Sequence, residues 1–341
     1  MKYYISINCG TQSTKVVIYD ENFNCVVQHS TPNEIYYPKP CWAEIDANSF
    51  VDSALEGIKQ CLIKGRIDPN KVRAICGDGI ICGVVGVDEE GNAITPYIPY
   101  LDSRAEEEAK WIKENLEPNT YYYWGYIRTG GLCLQWFRDK IMGRPGDSTF
   151  YNEVNNKAEN VPPGSNGVVF FPYLQGGCNE AANAAGCFLN MTSTADTGVL
   201  WRAILESIAY EYIFFTDKIR NIGVDINNVI FAEGGSKSDV WNQIKSDSLN
   251  TKGMTLKRKE GATMADALLA AYAVGDITDI QGTLCSLLIP EKEYIPHKGN
   301  SIYYRNAYYC HQKLLKVKMS RAFESCSYLR DLDIEDILFI K

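Results

Sequence analysis

The chain has 341 residues, 45% hydrophobic and 22% charged, enough for about two domains with cores of their own and too apolar for a disordered segment. Its formal net charge of −8 excludes the electrostatic footprint of a general nucleic-acid or anionic-membrane binder, so any anion it takes must be held locally. The twelve cysteines stand singly, as in Cys9, Cys25, Cys61, Cys133 and Cys187, at no zinc spacing, which argues against thiolate metal binding.

Tyr3, Ile5 and Ile7 alternate with polar neighbours, the chain turns at Gly10-Thr11-Gln12-Ser13, and Val16 to Tyr19 resumes a strand; that pattern predicts a hairpin. It starts without a basic region and apolar core, so no secretory signal is expected and the thiols read as reduced, in a cytoplasm. A third strand over 25–28 completes a meander. After Asp46, Phe50, Ala54, Leu55, Ile58 and Leu62 recur at helical spacing. Val72 to Cys76 reads as a strand, 84–87 and 93–94 flank the Asp88 to Asn92 turn, and 103–115 reads as a polar helix. Three antiparallel strands, a helix, a strand and a helix open a ribonuclease-H-like domain.

A second organisation begins after Pro118. Strands are expected at 121–127, 167–171 and 228–232, and helices at 130–141, 151–158, 196–221 and 237–249. The stretch 262–274 is almost wholly small and apolar and predicts a packed interior helix. No apolar run approaches the ~18 residues of a membrane span. The predicted division is therefore 1–118, 119–318 and an appended tail, 319–341.

Two glycine turns could carry chemistry. Gly10 to Lys15 joins two strands with backbone that can approach a ligand closely, hydroxyls that can donate and a cationic Lys15, which is what a phosphate cradle needs; the same residues also suit a plain hairpin turn. Gly234-Gly235-Ser236 follows an apolar strand and precedes a helix, so the helix amino terminus could face a nucleotide. Equally, it could be an ordinary connection with Ser236 as the N-cap.

The surrounding motifs bear on that choice. The run ISINCGTQSTKVVIYD, ending at Asp20, resembles the first phosphate motif of the FGGY family of carbohydrate kinases. YYPKPCWAEID at 36–46 and GDGIICGVVGVDEEGNAITPYIPYLDSR at 77–104 are similar to that family's loop before its first helix and to its sugar-facing segment. VPPGSNGVVFFPYLQGG at 161–177, WRAILESIAYEY at 201–212, FAEGGSKSDVWNQIKSDSLN at 231–250 and EGATMADALLAAYAVG at 260–275 match its carboxy-terminal half in order. The likeness covers residues 1 to about 310, and YLDSR leans towards xylulokinase-like members.

The resemblance implies two ribonuclease-H-like domains, each incomplete here, of the actin-like ATPase fold, with ATP and Mg2+ in the cleft between them and a sugar or polyol hydroxyl attacking the γ-phosphoryl group. It implies phosphate and nucleotide contacts at Gly10, Thr11, Gln12, Ser13, Lys15, Gly234, Gly235, Ser236 and Asn242, and substrate contacts at Trp42, Asp78, Ile81, Cys82 and Asp102. Two departures matter. The family carries an aspartate two residues before its first glycine, on the metal side, where this chain has Asn8, an amide that can still accept from a metal-bound water. The segment with the catalytic aspartate base and a second phosphate turn is missing, since Glu114 to Thr120 runs directly into Tyr121 to Gly125. Asp78, and beside it Asp102, are the substitute bases to consider; Asp78 shaping a turn, and Asp102 orienting substrate or capping a helix, are the alternatives. The expectation is a carbohydrate kinase by family whose own activity is in question, set against an inactive nucleotide- or partner-binding remnant. Open sheet edges left by the gap would also suit a homo-oligomer.

Overall fold

The computed structural model describes residues 1–81, 83–102, 104, 127, 129–177, 184–258, 261–323 and 326. Contacts divide the chain into two compact units, Met1–Glu107 with Leu256–Pro290, and Glu108–Thr255 with Glu291–Lys341.

The first unit is organised by a four-stranded sheet. Strands β1 (Tyr3–Cys9), β2 (Ser13–Asp20) and β3 (Cys25–Pro32) form the antiparallel meander, and β4 (Val72–Gly79) adds parallel to β1, giving the order β3-β2-β1-β4. Strand alternation sends Ile5, Val16 and Ile18 to one face, where they pack with Cys61, Ile58 and Leu62 of the helix Ala47–Gly65. Tyr4, Val17 and Tyr19 go to the other face, against Met264, Ala267, Leu268 and Ala271 of the helix Ala262–Ala273. The helix Ala47–Gly65 is capped as its sequence suggests, with the Asp46 carboxylate accepting from the Asn48 N–H.

The sequence reading kept 262–274 with the second domain; by contacts this helix belongs to the first unit, because its small residues let it lie directly on β1 and β4. It is also less interior than composition suggested: Leu269 and Tyr272 are each half exposed. The segments 84–87 and 93–94 make only isolated bridges, Val84 with Ile98 and Val87 with Ala93, around the expected Asp88 turn.

In the second unit the helix Thr197–Asn221, N-capped by Asp196, is the spine. Trp201, Ile204, Leu205, Ile208 and Ile213 bury against Phe137, Phe150, Val154 and Phe170. Its polar residues are paired inside: Arg202 Nε meets Glu206 Oε1 at 2.9 Å, and Glu206 also accepts from the Gly164 N–H, the Ser165 hydroxyl and Tyr304. A buried ion pair survives only when its remaining hydrogen bonds are made, as here. Strand β5 (Val169–Phe171) pairs with β6 (Cys187–Leu189), and β7 (Asn228–Phe231), β8 (Lys252–Leu256) and β9 (Pro290–Tyr294) form a three-stranded sheet. Strands β8 and β9 had no sequence prediction. Most of the predicted strand over 121–127, most of the 103–115 helix and most of the tail from 319 lie outside the described residues.

Gly57 is where the first helix touches the sheet: a Cβ there would sit 2.6 Å from Val16 Cγ2. Gly57→Leu should lower stability by about 1–3 kcal/mol in urea unfolding, although a glycine in mid-helix is itself unfavourable. An unchanged midpoint would show that this helix does not dock as described.

Candidate functional site

In the first unit the hairpin turn is closed by the Gly10 N–H donating to Ser13 O at 3.0 Å. Asn33, just beyond β3, holds it from outside: its N–H donates to Gln12 O (2.9 Å), its Nδ2 to Gly10 O (2.6 Å), and its Oδ1 accepts from the Thr14 hydroxyl (3.1 Å). Sequence reasoning missed Asn33; the available signal was its place beside Pro32, the register partner of Ser13.

Register then makes a row. Asn8 pairs with Lys15 on β2 and with Asp78 on β4, so three predicted site residues stand on one rung beside the turn. Asn8 Nδ2 donates to Asp78 Oδ2 at 2.9 Å. One rung behind, Ser6 donates to Asp266 Oδ2 at 2.8 Å, and Asp266 lies buried on the helix Ala262–Ala273. Burial pushes the Asp266 carboxyl up, and the nearby Asp78 adds to the shift. Asp266 was also missed, although a single carboxylate in ATMADALLAAYA breaks that helix's apolar pattern.

The substrate-side candidates are placed differently. Ile81 is 59% exposed, and Cys82 lies outside the described residues. Asp102 accepts from the Ala43 N–H (2.7 Å), the Arg104 N–H (2.8 Å) and the Arg104 guanidinium, which also meets Glu44 at 2.9 Å. Burial works against the Asp102 charge, yet the Arg104 guanidinium and these N–H donors hold its carboxyl below the usual range. Arg104 also lies 3.9 Å over the Trp42 ring and Lys39 Nζ lies 4.8 Å from it. The sequence offered Trp42 and Asp102 as substrate contacts, with packing and helix capping as the alternatives; Arg104 joins both residues into one cluster with the 36–46 loop.

In the second unit, Gly234–Lys237 is a single 3-10 turn after β7, and the helix Asp239–Leu249 begins only after it. The N-cap is therefore Ser238, whose hydroxyl accepts from the Trp241 N–H, and not Ser236, whose hydroxyl donates to Glu233 O at 2.7 Å. Gly234 faces open space, while a Cβ on Gly235 would meet the Trp241 ring at 3.0 Å. Asn242 is fully buried, its Nδ2 donating to Ser236 O (2.7 Å) and to Tyr294 OH (3.1 Å). It holds the glycine turn from behind.

A four-stranded 3-2-1-4 sheet with a glycine turn at its end, and a second unit with a strand, glycine turn and helix, is the architecture of the actin-like ATPases. The family comparison agrees. Residues 3–140 match the N-terminal domain of the FGGY family of carbohydrate kinases and residues 100–274, more than half of the chain, match its C-terminal domain; the chain belongs to that family. It is 27% identical over 201 residues to a xylulose kinase of Staphylococcus epidermidis, covering 58% of this chain and 40% of that protein. It is 24% identical over 237 residues to a gluconokinase of Bacillus licheniformis, covering 67% and 45%. The chain thus spans less than half the length of these curated relatives. Among solved structures, a xylulose kinase from Lactobacillus acidophilus superposes with a TM-score of 0.73 at 17% identity, over 95% of this chain and 100% of that one. A gluconate kinase from the same organism gives 0.74 at 16%, over 95% and 99%. At such identities the likeness shows the fold. Kinases of this family use ATP and typically a divalent metal. Among the described residues no helix is long and apolar enough to cross a membrane.

One buried charge lies in the helix after the glycine turn. Lys245 is 6% exposed, its Nζ 4.1 Å from the centroid of the Phe231 ring and 4.7 Å from that of Trp241. Burial pulls its ammonium down to about 7. The unfolded chain, with an ordinary lysine near 10.5, therefore binds more protons between these values, and stability should rise as pH increases from about 7 to 10.5. Lys245→Met should be more stable at pH 7 by about 1–3 kcal/mol and should lose that rise. Denaturant midpoints that vary with pH identically in both proteins would contradict this.

Proposed function

We propose that this chain is the nucleotide- and polyol-directed framework of a xylulokinase-like carbohydrate kinase, binding ATP weakly and without turnover of its own. The observation that carries the reading is the rung of Lys15, Asn8 and Asp78 beside a turn closed by Gly10 and Ser13 and held by Asn33. Such a turn places a cation and close-approaching backbone where phosphate oxygens would lie. Gly10, Thr11, Gln12, Ser13 and Lys15 would take the phosphates. The adenosine end would be taken at the exposed Gly234 and the half-buried Gly235, with Ser236 and Asn242 keeping that turn in shape. The acceptor would be a sugar or polyol hydroxyl, in keeping with the family.

The donors beside the phosphate turn suit a divalent metal. Asn8 Oδ1 and the Asp78 carboxylate are hard oxygen ligands, and Gly10 keeps the space over Asn8 open, since a Cβ there would stand 3.2 Å from Asn8 Oδ1. When bound, Mg2+ would neutralise phosphate charge. Turnover also requires a base within reach of the sugar hydroxyl. Of the two carboxylates considered for that task, Asp102 is engaged by Arg104 and Ala43, and Asp78 by Asn8.

Isothermal titration of the purified chain with ATP tests the binding reading. Gly234→Asp places a carboxylate in open space beside the expected nucleotide and should weaken binding by about tenfold or more through like-charge repulsion. Lys15→Ala should weaken it as well. Unchanged affinity in both variants, with unchanged circular dichroism, would refute the assignment.

A further inference from the structure

The family's metal-side aspartate is Asn8 in this chain, but the rung it occupies is not without a carboxylate. We infer that the charged metal ligand has moved one strand across the sheet, so that Asp78 on β4 holds the divalent cation and Asn8 on β1 orients it. This rests on the nucleotide reading above and names a residue role that goes beyond it.

The parallel β1–β4 register sets Asn8 directly beside Asp78, on the face of the sheet shared with Ser6 and Cys76. Asn8 Nδ2 donates to Asp78 Oδ2 at 2.9 Å, which fixes the carboxylate and leaves the amide's carbonyl oxygen as a neutral hard donor next to an anionic one. Asp78 is exposed, unlike Asp266 behind it, so a cation that keeps several waters can reach it. Gly10 leaves the approach to Asn8 Oδ1 unfilled. Mg2+ is commonly held through one or two carboxylates with waters and phosphates completing its shell, rather than by an all-protein cage, and this rung offers one carboxylate and one amide oxygen. An aspartate at position 8 would put two carboxylates side by side on this rung; the amide avoids that repulsion and supplies a donor for the one that remains.

The test uses Mn2+ as the probe, followed by electron paramagnetic resonance on the full chain, alone and with ADP. The wild type should bind Mn2+. The near-isosteric Asp78→Asn should weaken it by about tenfold or more, and the exchanged pair Asn8→Asp/Asp78→Asn should recover most of the loss, which a merely structural role for Asp78 would not produce. In the wild type, Mn2+ should broaden the amide resonances of residues 8–15 and 77–80, a reading that does not depend on any variant folding. Undiminished binding by Asp78→Asn, no recovery in the exchanged pair, absence of Mn2+ binding, or broadening elsewhere would each overturn the inference. ATP titrated with Mg2+ and again in EDTA separates the two claims: nucleotide binding that is unchanged in EDTA while the Mn2+ results fail sinks the metal assignment alone, and absence of ATP binding with Mg2+ present sinks the nucleotide reading.

Discussion

The parallel ladder between Tyr3–Cys9 and Val72–Gly79 is the constraint on which the first unit depends. Side chains alternate along a strand, so a shift of one residue would exchange the faces of every residue on β4. The register is held by packing on both faces: Val72 joins Ile5, Val16 and Ile18 beside the helix Ala47–Gly65, and Ala74 and Cys76 join Tyr4, Val17 and Tyr19 beside the helix Ala262–Ala273. With both faces committed, Asn8 has no choice of neighbours. Its rung mates are Lys15 and Asp78, and the polar row beside the turn follows from the apolar core beneath it.

Where this chain departs from a simple apolar pattern, the departures gather near that row and near the second glycine turn. Ser6 and Asp266 make a buried polar pair on a face otherwise filled by tyrosines, valine and alanines. Lys245 lies between two aromatic rings where an apolar side chain would cost less. Local conflict of this kind collects where function constrains a sequence. Other strong polar networks read as structural, because each member has its partners: Glu206 with Arg202 and Tyr304, and Asp247 accepting from Gln243, the His297 N–H and Asn300.

Much of this was legible in the residues. Hairpin, meander, first helix and β4 follow from alternation and from the Asp46 cap, and the long second-unit helix from the Asp196 cap. Ordered motifs named the family, and Gly10 to Ser13 named the hairpin turn. What escaped was set by contacts distant in sequence. Nothing local to Asn33 says that it closes a turn more than twenty residues away, or that Arg104 would engage Asp102, Glu44 and Trp42 together. The N-cap shifted from Ser236 to Ser238 because a 3-10 turn intervenes, and two serines separated by one residue, with the same local credentials, cannot be told apart by propensity. The 262–273 helix was recognised as packed, but its partner sheet lies about two hundred residues earlier in the chain, and periodicity identifies a buried face without identifying what buries it.

On the reading proposed above, Gly10 to Lys15 takes phosphate and the Gly234 turn takes nucleotide, while the two carboxylates considered as a base, Asp102 and Asp78, are engaged by Arg104 and by Asn8. Losing a general base commonly slows catalysis by about 10²–10⁴-fold, and the loss of electrostatic stabilisers adds to that. The most direct measurement is coupled ADP release by the purified chain with MgATP and a panel of xylulose, gluconate, glycerol and other pentoses and hexoses. No sugar-dependent ADP release above the sugar-free rate is expected. Sugar-dependent ADP release that survives purification of the chain would contradict that reading.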